Sequence, residues 1–309
     1  MLFFPYKLDV GLYRVPFLTV LVCLACLILF SRQISADSGY QKRVQAFCSQ
    51  IDANLRTILD HASADGVHQG CGNNLQLLRR ADDRESLIAD MAQQRGGQAF
   101  HAGRDEDVAY KTAKIRRGFE DFDSAVPPLL TSRLAYDPSE RNLGTMLTSV
   151  FAHASWSHVL GNLLFFFIFA SFVESTIGYV YYAIAFLLLA VTSSLAYSYS
   201  LVEGQGLPSV GLSGVVMGML AFITTLLPTA YVRCFFWFLI FVRRFSVPLL
   251  LLAAWYVGWD LYSHYFGNGS SQINYVAHIG GAATGVVMGL LYRLFHGQRL
   301  REIQAAMET

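Results

Sequence analysis

Six apolar stretches, at 15–30, 157–173, 179–200, 210–227, 245–262 and 275–295, constrain this chain more than any other feature. A run of about 20 apolar residues is long enough to cross the hydrocarbon core of a bilayer as a helix. Only 15% of the residues are charged, against roughly 25% in ordinary soluble domains. The formal net charge is +1, so nothing in the balance points to nucleic acid or to a strongly charged partner. The first stretch is longer than a signal-peptide core, and the polar, bulky Ser31-Arg32-Gln33 follows it instead of a small-residue cleavage site. It is read as the first membrane helix. Residues 234–242 are apolar but short and end at Arg243-Arg244, which suits an interfacial segment better than a span.

Residues 32–142 have a different character, rich in Asp, Arg, Gln and Lys. Apolar residues at helical spacing predict helices over 40–59 (Val44, Phe47, Ile51, Leu55, Ile58) and 74–91 (Leu75, Leu78, Leu87, Ile88, Met91), with a third over 108–122. Breaks at Gly70-Cys71-Gly72 and Gly96-Gly97 separate them, and Pro127-Pro128 closes the region. The expectation is a small, weakly cored helical insert with no catalytic motif, with His61, His68 and His101 on its surface. Cys48 and Cys71 pair if this region faces an oxidising compartment and otherwise remain two thiols.

Loop charges orient the spans. Lys7 and Arg14 precede the first stretch, Arg233, Arg243 and Arg244 lie between the fourth and fifth, and Arg293, Arg299 and Arg301 follow the sixth. The short loops at 201–209 and 264–274 carry no Lys or Arg. By the positive-inside rule both termini are cytoplasmic and the insert is extracytoplasmic, in a bacterial cytoplasmic membrane. The domains are then 1–31, the N-terminus and first span; 32–142, the insert; 143–296, a membrane core; and 297–309, a cytoplasmic tail.

Three of these stretches carry polar residues near their extracytoplasmic ends. The fourth opens with Gly211-Leu212-Ser213-Gly214, the sixth with Ala277-His278-Ile279-Gly280-Gly281, and the second with His158 and Asn162 four residues apart on one helical face. At about 1.5 Å rise per residue, all four polar side chains lie at a similar shallow depth. A serine becomes a nucleophile when a neutral imidazole takes its proton. An asparagine amide and an imidazole N–H are donors suited to an oxyanion, although both also serve as plain interhelical hydrogen bonds. Gly214 and Gly218, with Gly281, Gly285 and Gly289, form small-residue faces that let two helix backbones approach and bring Ser213 within reach of His278. Gly211 permits a tight backbone before the serine.

Taken together, His158-x-x-x-Asn162, Gly211-x-Ser213-Gly214 and Ala277-His278-x-Gly-Gly281 resemble the motifs of the rhomboid family of intramembrane serine proteases. The resemblance covers roughly 143–296, and His153 and Glu174 match recurring polar positions. It implies an all-α, six-transmembrane-helix bundle with the polar helical insert between the first and second spans. It implies a Ser213–His278 dyad with no third carboxylate, and an oxyanion hole from His158, Asn162 and the Ser213 N–H. Its substrates would be single-span membrane proteins cut near the extracytoplasmic surface, within the lipid bilayer, with no metal or organic cofactor. Two departures stand out: Met217 occupies a position where the family often has a tyrosine packed on the histidine, and the Trp-Arg pair of some members' first loop is absent. A methionine fills such a space but orients a ring less well.

Other readings are weaker. A catalytically inactive relative that binds and routes client membrane proteins usually lacks the serine or the histidine, and both are here. A transporter fits poorly with so few intramembrane charges, Glu174 and Asp260 lying near helix ends. Val215 excludes the α/β-hydrolase elbow, and no His-Glu-x-x-His supports a zinc protease.

Overall fold

A computed structural model describes residues 2–9, 11–12, 14–64, 67–68, 70–81, 83–94, 104–201, 206–238, 241–267 and 273–308. Along the chain these form β1 (Leu2–Leu8), α1 (Phe17–Asp37), α2 (Tyr40–Gln50), α3 (Ala53–His61), β2 (Ser63–Ala64), β3 (Val67–His68), α4 (Gly70–Arg80), α5 (Arg84–Gln93) and α6 (Arg104–Ala125). There follow α7 (Leu130–Leu134), α8 (Leu143–Thr148), α9 (Trp156–Ile177), α10 (Tyr179–Ser200), α11 (Ser213–Leu226), β4 (Tyr231–Phe238), β5 (Phe241–Pro248), α12 (Leu249–Phe266) and α13 (Tyr275–Glu308). The chain divides into two compact units, one of Met1–Gln33 with Thr131–Thr309 and one of Ile34–Leu130.

The larger unit is built around α11. That helix is apolar on every side and buried along almost its whole length, as a helix hydrophobic all round must be. The predicted small-residue faces meet here. A Cβ on Gly281 would fall well inside contact with the Gly214 carbonyl oxygen, and one on Gly285 would do the same to Gly218. The backbones of α11 and α13 therefore touch with nothing between them, the close approach that small residues permit in apolar surroundings. Gly214 also lies against Ser193 of α10, and Gly280 against Ala196.

Among the described residues, four helices are long and apolar enough to cross a membrane: α1 continuing into α2, α9, α10 and α13. This is an integral membrane protein. α11 is shorter, at 14 residues, and α12 has 18. A carboxylate ties the first span to the second. Glu174, fully buried on α9, accepts from the backbone N–H groups of Leu18 and Thr19 at 2.8 and 2.7 Å and from Thr19 Oγ1 at 2.6 Å. These are first-turn donors of α1, which have no partner inside their own helix, so Glu174 acts as a cap supplied from a distance. Gly178, at φ +85°, ends α9 and lets α10 start at once.

The protein is mostly helical, and the all-α expectation is corrected by a three-stranded antiparallel sheet in the order β1-β4-β5. The segment read as interfacial and the first residues of the fifth apolar stretch are strands of one hairpin, with Tyr231 opposite Pro248 and Phe238 opposite Phe241. Alternation explains it: Val232 and Cys234 are buried while Tyr231 and Arg233 face out, a period of two that a count of apolar residues hides. The fifth helix therefore begins at Leu249 and not at 245, and the fourth begins at Ser213 and not at 210. The sixth continues past 295, with a break in helical backbone at His296.

The smaller unit has its own contiguous core, including Val44, Leu55, Ile58, Leu75, Leu78, Ile88, Met91, Ile115 and Phe122, so "weakly cored" understates it. The first two predicted helices are each split in two. Asp52 accepts from the N–H groups of Asn54 and Leu55 to start α3, and Asp83 accepts from Ser86 N to start α5. Outside the bilayer-length segments, the Asp52 carboxyl is held below its usual range, chiefly by its hydrogen bond from Lys114. Cys48 and Cys71 are disulfide-bonded. His61 is exposed, while Gly96, Gly97 and His101 lie outside the described residues.

Two outcomes follow from this packing. Ala at 281 or 285 should destabilise the helical bundle by about 1–3 kcal/mol, because a backbone carbonyl cannot swing aside as a side chain can; thermal unfolding of the purified protein reads it, with the exposed Gly258→Ala as an unaffected control. Cys48→Ser with Cys71→Ser should destabilise the Ile34–Leu130 unit by about 3 kcal/mol, the loop-closure value for a separation of 23 residues. Hydrogen exchange in residues 34–130 of the intact protein would show it.

Candidate active site

The approach of α11 to α13 sets Ser213 and His278 side by side. Ser213 is the first residue of α11, and His278 lies in the first turn of α13. The His278 Nε2 to Ser213 Oγ distance is 2.8 Å. Both residues are half-buried and line a cavity of about 930 Å³ that also reaches His158, Asn162, Ser193 and Tyr197.

The turn before Ser213 is held at several points. Ser209 and Tyr136 exchange backbone hydrogen bonds, each at 2.9 Å, and Gly211 N donates to Ser149 O. Asn274 caps α13 by accepting from Ala277 N, and its amide donates to Ser209 Oγ at 3.3 Å. One side chain thus spans the starts of both helices that carry the serine and histidine. Gly211 adopts φ +126°, which side chains rarely tolerate. A Cβ there would sit 2.8 Å from the His158 ring and 3.4 Å from Asn162 Nδ2. The missing side chain is therefore the space into which both donors lean, two residues from the serine.

Ser155 starts α9 by accepting from His158 N, which fixes His158 in the first turn with Asn162 one turn on. Asn162 Nδ2 is buried and has no protein partner among the described residues. A buried donor left unpaired is rare enough to need a reason, and one that lines the same cavity as Ser213 is suited to receive a negative charge there. His153 is fully buried behind His158, the rings edge to face with centroids 5.1 Å apart. Its Nδ1 lies 3.2 Å from Phe151 O, and burial, with the nearby His158 second, holds its imidazole down at about 4, so it stays neutral. Gln33 of α1 brackets the His153 backbone, accepting from its N–H and donating to its carbonyl.

Gly214 lies at the helix contact, and Met217 is buried one turn below Ser213. The sequence reading missed Asn274, Gln33 and, above all, Asp260. Asp260 Oδ2 of α12 stands 3.0 Å from His278 Nδ1, so the histidine does have a carboxylate behind it, where the resemblance provides none. The readable signal was its register: Asp260 continues the inward stripe Leu249, Ala253, Tyr256 at helical spacing. No cluster of three or more metal-ligating side chains occurs among the described residues.

Comparison with known proteins shows which family the sequence is similar to. A rhomboid domain model matches residues 140–295. The chain is 30% identical over 149 residues to rhomboid-like protein 11, chloroplastic, of Arabidopsis thaliana, covering 48% of this chain and 52% of that protein. It is 26% identical over 175 residues to the mitochondrial presenilin-associated rhomboid-like proteins of Homo sapiens and Mus musculus, covering 52% of this chain and 42% of theirs. The chain spans about half the length of the curated relatives it matches.

Gly211→Ala tests the geometry directly. It strains the backbone and pushes on the His158 ring, so labelling of Ser213 by a fluorophosphonate should fall roughly 100-fold, as for an ångström-scale misplacement of a reacting group. Helix content should stay unchanged by circular dichroism.

Proposed function

Since the chain belongs to the rhomboid family, we propose that it is an intramembrane serine endopeptidase that cleaves single-span membrane proteins within the bilayer near its non-cytoplasmic face. The observation that carries the reading is the 2.8 Å contact between Ser213 Oγ and His278 Nε2 at the mouth of a large cavity. Six helices, α1, α9, α10, α11, α12 and α13, form the bundle. The loop charges put both termini on the cytoplasmic side and the helical unit that follows the first span on the other. The disulfide in that unit supports an oxidising exterior. The relatives named above are chloroplastic and mitochondrial, so the assignment is to a side of the membrane and not to an organelle.

The reaction proceeds in two halves. His278 Nε2 takes the Ser213 Oγ–H proton as the oxygen attacks a peptide carbonyl of a locally unwound substrate helix. The oxyanion accepts from His158, Asn162 and the Ser213 N–H, the last being a first-turn N–H of α11, which its own helix does not use. The protonated imidazole then gives its proton to the leaving amine, and water releases the acyl group by the same steps reversed. No metal or organic cofactor takes part in this scheme.

The test is release of the soluble part of single-span reporter proteins by membranes carrying the full chain. Ser213→Ala should abolish release, and Asn162→Ala should lower kcat roughly 10- to 1000-fold. Near-normal cleavage by Ser213→Ala would sink the proposal in favour of a protein that binds client membrane proteins without cutting them.

A further inference from the structure

We propose that Asp260 is a positioning residue for His278, so that the site is a Ser213–His278–Asp260 triad; the inference rests on the protease reading. A carboxylate in an apolar bundle is costly and is kept where it has a partner. Side-chain exposure is 11% for Asp260 and 13% for His278. Among the described residues, His278 is the one basic side chain within ion-pair distance of Asp260, and no lysine or arginine lies that close to it.

Tautomer chemistry gives the contact its consequence. A carboxylate can only accept, so the 3.0 Å contact requires the proton of a neutral His278 to sit on Nδ1. Nε2 is then bare and faces Ser213 Oγ, the arrangement a general base needs. With nothing holding Nδ1–H, the alternative tautomer puts the proton on Nε2, where it blocks transfer from the serine. In the reaction the Oγ–H proton passes to Nε2 while the Nδ1 proton stays between ring and carboxylate, and the imidazolium formed faces a negative charge. Asp260 accepts no proton at any step.

The aromatic surroundings fit a fixed ring. Tyr275 meets His278 edge to face with centroids 6.5 Å apart. The other face of α12, with Trp255, Trp259, Tyr262 and Phe266, is exposed, while Asp260 is buried on the face that meets His278.

The experiment uses the full chain in liposomes with a fluorophosphonate as probe. Attack by Ser213 Oγ forms an O–P bond, expels fluoride and delivers the hydroxyl proton to His278. Asp260→Asn offers an amide donor to Nδ1 and favours the wrong tautomer. Its limiting labelling rate should fall roughly 100- to 10,000-fold with little change in half-saturating probe concentration. Nitrogen NMR of the His278 ring should show the proton on Nδ1 in the wild type and displaced from it in Asp260→Asn. Asp260→Glu, which keeps the acceptor, should restore the Nδ1–H form and part of the rate. Wild-type labelling and the wild-type tautomer in Asp260→Asn would overturn the inference and leave the protease reading intact. A wild type that takes no probe at Ser213 would overturn the protease reading, while the ring tautomer in the same samples would still decide the Asp260 contact.

Discussion

Everything chemical in this protein depends on two helix backbones touching. Gly214 and Gly218 on α11 meet Gly281 and Gly285 on α13 with no side chain between them. A lipid bilayer gives apolar side chains no reason to prefer a neighbouring helix over a lipid tail, so close packing has to supply the attraction. That packing also sets a distance. Ser213 sits one residue before the first contact glycine, and His278 three before Gly281. Side chains as short as these can reach each other only because the helix axes are so near.

Several polar groups of the larger unit follow a second constraint, that buried donors and acceptors are satisfied by partners. Glu174 caps α1, Gln33 brackets the backbone at His153, and Asn274 joins the starts of α11 and α13. Each comes from a part of the chain distant from its partner, so these bonds fix how elements sit as well as satisfying them. The contrast with Asn162 Nδ2 is informative. Among the described residues His153 Nε2, Ser171 Oγ, Tyr292 Oη and His296 Nδ1 of the same unit are also unpartnered, but of these only Asn162 lines the cavity that Ser213 lines, leaning on Gly211, where a forming oxyanion would give it a partner.

What could be read beforehand was what is local in sequence. The glycine spacing, the Gly-Leu-Ser-Gly turn, the four-residue step from His158 to Asn162 and the periodic core of the insert each occupy one helix turn or one helix face. What escaped was set by distant pairing or by single capping residues. β1 is a strand because β4 lies beside it, 220-odd residues on. α3 and α5 start where Asp52 and Asp83 bind backbone donors, which apolar periodicity does not register. Asp260 was visible as a charge, but the predicted stretch of 245–262 set it near a helix end, whereas α12 runs Leu249–Phe266 and carries it on the inward stripe.

Asp260 and Met217 belong to one argument about how an imidazole is held. A ring that must accept a proton from one side needs its plane, its rotation and its proton position fixed. Packing can restrain plane and rotation, as Tyr275 does edge to face, while Met217, where the resemblance places a tyrosine, is a flexible side chain that would set neither sharply. Packing of any kind leaves the two nitrogens equivalent. A hydrogen bond distinguishes them, and on the proposed tautomer the Asp260 carboxylate accepts from Nδ1 and leaves Nε2 for Ser213. A helix that contributes this single acceptor from its inward face supplies what glycine packing and a methionine cannot. On the proposed mechanism, the orientation of α12 against α13 is part of the catalytic geometry: a movement of α12 that broke the 3.0 Å contact would release the tautomer without moving Ser213 at all.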